Sequence, residues 1–215
     1  MQDLDIRGAG NLLGAEQSGF IADLGYETYQ KILKEAVMEL RTEEFSDTFA
    51  DEEKSADEVE YVNDCIIESD LELLLPSTYV PQESERIALY KELDNIEREL
   101  DLQAYRSRLE DRFGKIPAVT AELLRIPRLR RLARQLGIEK VSLKQEMMYL
   151  YFVDESNAAY YQSPMFGRIL HYCQQNMARC SLRDRNGRRS ITIKAVPTVE
   201  DAVAILTAIQ SLDAI

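Results

Sequence analysis

Two groups of polar side chains have types and spacings that could support binding or chemistry. The first lies in residues 3–20, DLDIRGAGNLLGAEQSGF, which contain four of the nine glycines: Gly8, Gly10, Gly14 and Gly19. Because dense glycine disfavours helix and strand interiors, this segment is predicted to be a shaped loop. The guanidinium of Arg7 and the amide of Gln17 are its long polar groups able to reach phosphate or carboxylate oxygens.

The second group is in residues 106–117, RSRLEDRFGKIP. Arg108, Asp111 and Arg112 follow the spacing i, i+3, i+4, which places them on one face of a helix. That face suits a polar contact with a partner. Ion pairing along the helix surface is the alternative, and spacing alone leaves it open.

A third candidate is a set of arginines on the following helix, which resembles a phosphate-binding stripe. The set consists of Arg125, Arg128, Arg130, Arg131 and Arg134. These positions surround most of the helix circumference, and no aromatic residue among them could stack on bases. A solvated face that balances the acidic half of the chain is therefore favoured over nucleic-acid binding.

Other chemistries lack their required patterns. The GxGxxxG of the opening loop is one residue longer than the dinucleotide fingerprint, and no P-loop occurs, so we do not expect this chain alone to bind ATP productively. His171 lies near Cys173 and Cys180, but no fourth metal ligand or nucleophile signature accompanies them. Three irregularly spaced cysteines predict reduced thiols.

Composition and charge limit the class of protein. The 215 residues are 45% hydrophobic and 30% charged, which is typical of a soluble globular protein. No apolar run approaches the roughly 18 residues of a membrane span, and the start of the chain lacks signal-peptide features, so a cytoplasmic, membrane-free setting is expected. Residues 1–100 carry 26 acidic and 8 basic side chains, whereas residues 101–215 carry 12 and 18. This polarity predicts a complementary partner surface.

Hydrophobic periodicity predicts the elements of the first half. A long amphipathic helix covers about 26–42, and residues 43–60, with nine acids and one base, form an acidic linker. One or two strands are predicted within 61–76. A helix capped by Ser84 follows, with its apolar positions at Ile87, Tyr90, Leu93, Ile96 and Leu100.

The second half combines helices and short strands. Helices are predicted over 102–113, ended by Gly114 and Pro117, and over 118–136, kinked at Pro127 and ended by Gly137. The remaining predicted elements are strands at 138–144 and 148–153, a helix at 156–178, a hairpin at 180–195 turning through Asn186 and Gly187, and a last helix capped by Thr198. The fold class is α+β, with amphipathic helices and a small antiparallel sheet, preceded by the glycine-rich loop and a long helix.

These segments together resemble a known family. Residues 3–19 are similar to the TRG motif that ends the second motor lobe of the DNA translocases RecG and bacterial transcription-repair coupling factor, and the IRGAG form favours the latter. The stretches LPSTYVPQESERIALYKEL, LEDRFGKIP and LARQLGIEKV resemble the C-terminal domain peculiar to these coupling factors. The resemblance is specific up to about residue 141. It divides the chain into the end of the translocase lobe (1–42), a linker (43–60) and the C-terminal regulatory domain (61–215).

For the opening loop, the resemblance implies a role in motor coupling. Arg7 and Gln17, shaped by Gly8, Gly10 and Gly14, would couple ATP hydrolysis to movement along double-stranded DNA. ATP and Mg would then belong to a P-loop motor in the parent protein. The resemblance implies no catalytic residue, cofactor or metal in this chain, and no ATPase activity of the 215 residues alone.

For the C-terminal domain, the resemblance implies a latch. Such a domain packs against an N-terminal module that resembles UvrB and hides the surface that recruits UvrA until the motor engages stalled RNA polymerase. Polar residues of the family's ELxDRFG segment make this contact, which carries over to Asp111 and Arg112. Arg108 stands where the family has glutamate, so one charge of the contact is reversed.

Two other functions remain as alternatives. One is a free-standing nucleic-acid-binding module that uses the arginines of 106–134 and 179–194, for which a salt-dependent affinity for DNA would be evidence. The other is an enzyme built around His171 and the thiols, which wild-type behaviour of a His171→Ala variant would exclude.

Overall fold

The computed structural model describes residues 61–185 and 188–213, and the elements within these ranges form an α+β fold. The helices are α1 (Glu83–Asp94), α2 (Glu99–Phe113), α3 (Ala118–Leu123), α4 (Ile126–Gln135), α5 (Ala158–Tyr161), α6 (Pro164–Gln175) and α7 (Val199–Gln210). The strands are β1 (Ile66–Ser69), β2 (Ile138–Lys144), β3 (Met147–Phe152), β4 (Cys180–Arg185) and β5 (Arg188–Lys194). The predicted loop and helix of 1–42, the linker of 43–60 and the turn residues Asn186 and Gly187 lie outside the described residues.

The strands form one five-stranded sheet in the order β1-β2-β3-β5-β4. The pairs β2–β3, β3–β5 and β4–β5 are antiparallel, in agreement with the predicted small antiparallel sheet. The pair β1–β2 is parallel, with Ile66 opposite Lys140, which the sequence did not predict. A parallel pair needs a long crossover, and here α1 to α4 provide it. The α+β class is confirmed, with one parallel edge.

The helices and the sheet bury a continuous hydrophobic core. Helix α4 contacts α7, β1 and β2, and α7 also contacts α6. Leu129, Val141, Leu150, Ile191 and Leu206 are fully buried where these elements meet. Thr198 accepts a hydrogen bond from the Asp201 amide (3.0 Å), so it caps α7 as predicted.

The predicted helix from Ser84 to Leu100 is broken after Asp94, and its residues 99 and 100 belong to α2, which was predicted to begin at 102. Gln82, not Ser84, precedes the first helical residue, and the chain leaves the helix after Asp94. Two arginines of α4 hold the connection, because Arg130 donates to the Asp94 carbonyl (3.1 Å) and Arg131 to the Glu97 carbonyl (2.9 Å). Leu100, predicted to lie on the apolar face of this helix, is therefore 75% exposed.

Two further predicted helices are also divided. The helix predicted over 118–136 is α3 and α4, and Pro127 lies in the first turn of α4, where its missing N–H breaks no helical bond. The helix predicted over 156–178 is α5 and α6, because Ser163 caps the helix that Pro164 begins. Gly137 ends α4 at a φ of +68°, as predicted for a C-terminal glycine.

The segment 71–75 is tied to helices rather than to the sheet. Leu73 and Leu75 are buried, yet the Leu75 amide donates to the Tyr90 hydroxyl (2.7 Å), and the Thr120 hydroxyl donates to the Leu74 carbonyl (2.9 Å). Of the one or two strands predicted in 61–76, the structure forms only β1 as a strand among these described residues. The segment thereby anchors α1 and α3 beside the sheet.

Candidate functional site

The three polar residues predicted to share a helix face lie together at a shallow groove between α1 and α2. The groove has a volume of about 410 Å³, and we call it the α1–α2 groove. Its lining consists of Leu89, Glu92, Tyr105, Arg108, Leu109, Asp111, Arg112 and Phe113. The structure therefore brings Arg108, Asp111 and Arg112 to one surface, as the i, i+3, i+4 spacing predicts.

Two tyrosines fix α2, which carries this surface. The buried Tyr105 donates its hydroxyl to the Leu89 carbonyl of α1 (2.8 Å). Tyr79 places its hydroxyl within hydrogen-bond distance of the carbonyls of Leu109 (3.1 Å) and Gly114 (3.0 Å). Burial raises the pKa of both phenols, with smaller contributions from nearby glutamates, so each remains a protonated donor. Helix α2 is thus held by a hydrogen bond to α1 and by contacts of its C-terminal end with Tyr79.

The arginines pair with α1 and not with Asp111. Arg108 forms an ion pair with Glu92, and Arg112 Nη2 lies 2.5 Å from Glu85 Oε1. The structure therefore does not show these two arginines pairing along the surface of α2, which was the alternative that spacing left open. Asp111 is exposed and makes no ion pair with any residue that the structure describes.

Aromatic rings further restrict the two guanidinium groups. The Arg108 guanidinium lies 5.5 Å from the centroid of Tyr105, and that of Arg112 lies 5.2 Å from the centroid of Phe113. Such cation–π contacts orient a guanidinium while leaving donors for a second acceptor. The arrangement suits a polar contact with a protein surface, in which Asp111 accepts and the arginines donate.

Sequence reasoning missed the acidic partners on α1. Glu85 and Glu92 are seven residues apart, which places them on one face two turns apart, and that face meets the arginines of α2. The signal was present in the spacing. It could be interpreted only once α1 and α2 were known to lie side by side.

The other candidate residues fall into two groups. Arg7, Gln17, Gly8, Gly10 and Gly14 lie outside the described residues. His171 is half-buried and does not line the groove, with Nδ1 3.1 Å from the Asp213 carbonyl and Nε2 3.0 Å from the Gln175 amide nitrogen.

The cysteines show no reactive setting. Burial, with a smaller contribution from Cys180, raises the pKa of Cys173 to about 12, which disfavours the nucleophilic thiolate. Burial likewise raises the pKa of Cys65 to about 12. In the ranges 61–185 and 188–213, no three His, Cys, Asp or Glu side chains converge in a way that could hold a metal ion.

The arginines of α4 bind acids of the same chain. Arg130 pairs with Asp94 (2.6 Å), Arg131 with Glu99 (2.7 Å) and Arg134 with Glu97 (3.9 Å). Arg125, at the start of the helix, pairs with Glu122 and Glu200, both at 2.9 Å. These arginines balance acidic residues, as the favoured interpretation predicts, but they do not form a solvated face, because their side chains are only 19% to 31% exposed. Their ion pairs join α4 to the α1–α2 connection and to α7.

Comparison with known proteins gives the class to which this arrangement belongs. Residues 69–163, which include the groove, match the TRCF domain family. A solved structure described as the C-terminal domain of transcription-repair coupling factor aligns with a TM-score of 0.54, covering 68% of this chain and 92% of that one. At 15% identity this structural likeness shows the fold alone.

Sequence relatives point to one kind of protein. The transcription-repair-coupling factor of Staphylococcus haemolyticus is 37% identical over 144 residues, that of Helicobacter pylori 35% over 153, and that of Escherichia coli K12 33% over 155. These alignments cover 67%, 71% and 72% of this chain but only 11%, 14% and 13% of the respective relatives. The chain belongs to the transcription-repair coupling factor family and corresponds to a C-terminal part of such a protein. None of the helices in the described ranges is long and apolar enough to cross a membrane.

Proposed function

We propose that residues 61–213 form a non-catalytic regulatory domain of a transcription-repair coupling DNA translocase. In this proposal the α1–α2 groove packs against the N-terminal UvrB-like module of the parent protein and thereby hides the surface that recruits UvrA. Engagement of stalled RNA polymerase by the motor then releases the contact. Asp111, Arg112 and Arg108 are the residues that we assign to the interface.

One observation supports this assignment most directly: Asp111 is exposed beside two arginines that are already oriented by α1. A carboxylate without an ion-pair partner among the described residues offers a ready acceptor to a basic partner surface. Arg108 and Arg112 need little reordering to bind an acceptor, because Glu92, Glu85 and the aromatic rings limit their motion.

The energetics suit a contact that must open. Exposed ion pairs contribute about 0.2–1 kcal/mol each. A few such pairs across the groove hold the closed state without trapping it, so that movement of the motor can break them. Arg108, which stands in place of the family's glutamate, would be suited by an acidic rather than a basic group on the partner surface opposite it.

For the opening loop, we propose the role that its resemblance to the TRG motif implies. Arg7 and Gln17 would change hydrogen-bond partners as the motor lobes close, which couples ATP hydrolysis to movement along double-stranded DNA. ATP and Mg would be bound by the parent motor, and the 215-residue chain alone would not hydrolyse ATP. Measured ATP turnover by the purified chain would contradict this part of the proposal.

The latch is tested with a double substitution, Asp111→Ala with Arg112→Ala, in the full-length parent protein. Loss of the polar contact is expected to raise UvrA affinity and basal ATPase activity about fivefold, the equivalent of about 1 kcal/mol. Arg106→Ala is the matched control, because Arg106 is exposed on the same helix, pairs with Glu110 and does not line the groove. Unchanged UvrA affinity in the double variant, or an equal rise in Arg106→Ala, would count against the latch.

The alternative of a nucleic-acid-binding module stays a prediction. Most of its proposed arginines between 106 and 134 pair with acids of the same chain, which lowers the charge available to phosphates. A steep decrease of DNA affinity with salt for the isolated chain would favour this alternative over the latch.

A further inference from the structure

A second arginine-rich site lies away from the α1–α2 groove. A cavity of about 560 Å³ opens between α4, the first turn of α6 and the connection from α1 to α2. Four arginines line it, Arg130, Arg131 and Arg134 from α4 and Arg168 from α6, with Glu97 as the carboxylate among its lining residues. Its volume is in the range of small-molecule binding sites, about 300–1,000 Å³.

The four arginines differ in how their charge is balanced. Arg130, Arg131 and Arg134 have carboxylate partners in Asp94, Glu99 and Glu97. Arg168 forms no ion pair with any part of the chain that the structure describes, and its Nε is buried without a hydrogen-bond partner. Since a buried guanidinium N–H without an acceptor is costly, the site carries one unbalanced positive charge and an unused donor.

The start of α6 adds to the positive potential. Ser163 and Pro164, the cap and first residue of this 12-residue helix, line the same cavity. The partial positive charge of the helix N-terminus therefore adds to that of Arg168, which lies one turn further along α6. Tyr61 and Met165 form an apolar part of the wall.

We propose that this cavity binds the terminal phosphate of a small organic phosphate. The guanidinium of Arg168 donates to the phosphate oxygens and gives its Nε an acceptor, while the body of the ligand lies against Tyr61 and Met165. The paired arginines of α4 keep the surrounding wall basic without requiring a second anion. This site is separate from the groove, so it does not depend on the proposed latch.

The test measures binding to the full 215-residue chain by isothermal calorimetry and NMR. The probes are inorganic phosphate, adenosine monophosphate, adenosine as the uncharged control, and a single-stranded oligonucleotide without terminal phosphate. Saturable binding of the first two is expected, tighter for the monophosphate, with no binding of adenosine. An oligonucleotide that binds as tightly as the monophosphate would overturn the assignment to a terminal phosphate.

The variants locate the site. Arg168→Gln is expected to weaken binding of the monophosphate about tenfold or more, as removal of a charge-assisted hydrogen bond does. Arg128→Gln is the matched control, since Arg128 is exposed on α4 and does not line the cavity. Equal affinities of both variants and the wild type, or an equal loss in both, would overturn the proposal.

A third variant covers the case in which Arg168→Gln disturbs the fold. Arg168→Lys keeps the charge but loses the planar fork of donors, so binding intermediate between wild type and Arg168→Gln is expected. The contrary result has two parts: Arg168→Lys binds the monophosphate with wild-type affinity, and acetate binds equally tightly. If both results are found, the cavity attracts any anion, which also contradicts a phosphate site.

Discussion

The α1–α2 groove and the arginine-lined cavity use similar ion pairs in different surroundings. At the groove the side chains of Arg108 and Glu92 are 60% and 44% exposed, whereas beside the cavity those of Arg130 and Asp94 are 19% and 17% exposed. Exposed pairs are screened by water and salt, while largely buried pairs cannot lose one member cheaply. The comparison indicates that the groove can exchange partners and that the arginines of α4 hold the fold together.

The largest effect is expected in the packed layer behind the cavity, at Gly137. An added Cβ would overlap the ring of the fully buried Tyr160, whose hydroxyl donates to the Leu136 carbonyl (2.8 Å). The residue also has a φ of +68°, which disfavours alanine. Gly137→Ala is expected to lower the free energy of unfolding by about 3 kcal/mol, measured by urea denaturation.

A second-site variant separates the two causes of that loss. In a Tyr160→Leu background the overlap is relieved, so Gly137→Ala should cost only the backbone contribution of about 1–2 kcal/mol. Strict additivity of the two substitutions would show that the ring contact is not the cause.

The next effect is expected from Asp94→Ala, which removes the carboxylate partner of Arg130. The guanidinium stays largely buried and keeps the Asp94 carbonyl as an acceptor, so the loss is expected to be about 2 kcal/mol, less than for a fully buried pair. Urea denaturation measures it. If Asp94→Ala lowered the free energy of unfolding by less than Glu92→Ala at the groove, the distinction between the two regions would not hold.

The smallest effect is expected from Glu92→Ala, on the same helix as Asp94 but facing the groove. Both side chains of the Arg108–Glu92 pair are exposed, so its removal should lower the free energy of unfolding by about 0.5 kcal/mol. The same urea titrations check it. A loss equal to that of Asp94→Ala would mean that the groove is as rigidly fixed as the wall of the cavity.

The sequence predicted elements whose signals are local. The β2–β3 pair and α7 were predicted near their observed bounds, since alternation, periodicity and the Thr198 cap lie within each segment. The break after Asp94 was not, because the apolar spacing continues through Ile96 and Leu100 and the break depends on arginines about 35 residues away. The break at Ser163 and Pro164 had a local cap signal that the prediction overlooked.

For the site, the shared face of Arg108, Asp111 and Arg112 followed from helical spacing, and the groove confirms that the three residues lie together. Their partners Glu85 and Glu92 did not follow, because the prediction did not say which helix would lie beside α2. The cavity did not follow from the sequence either, since Arg168 lies on α6, more than thirty residues after the arginines of α4. Residues that are distant in sequence and meet only in the fold leave no pattern within a single segment.

The parallel pairing of β1 with β2 has a mechanical consequence. These two strands are neighbours in the sheet, yet all of α1 to α4 lies between them in the chain. Both ends of the segment that carries the groove are therefore tied to adjacent hydrogen-bonded strands, and a force on α2 would be transmitted to the sheet at one edge. A partner that pulls on this surface would therefore load the hydrogen bonds between β1 and β2.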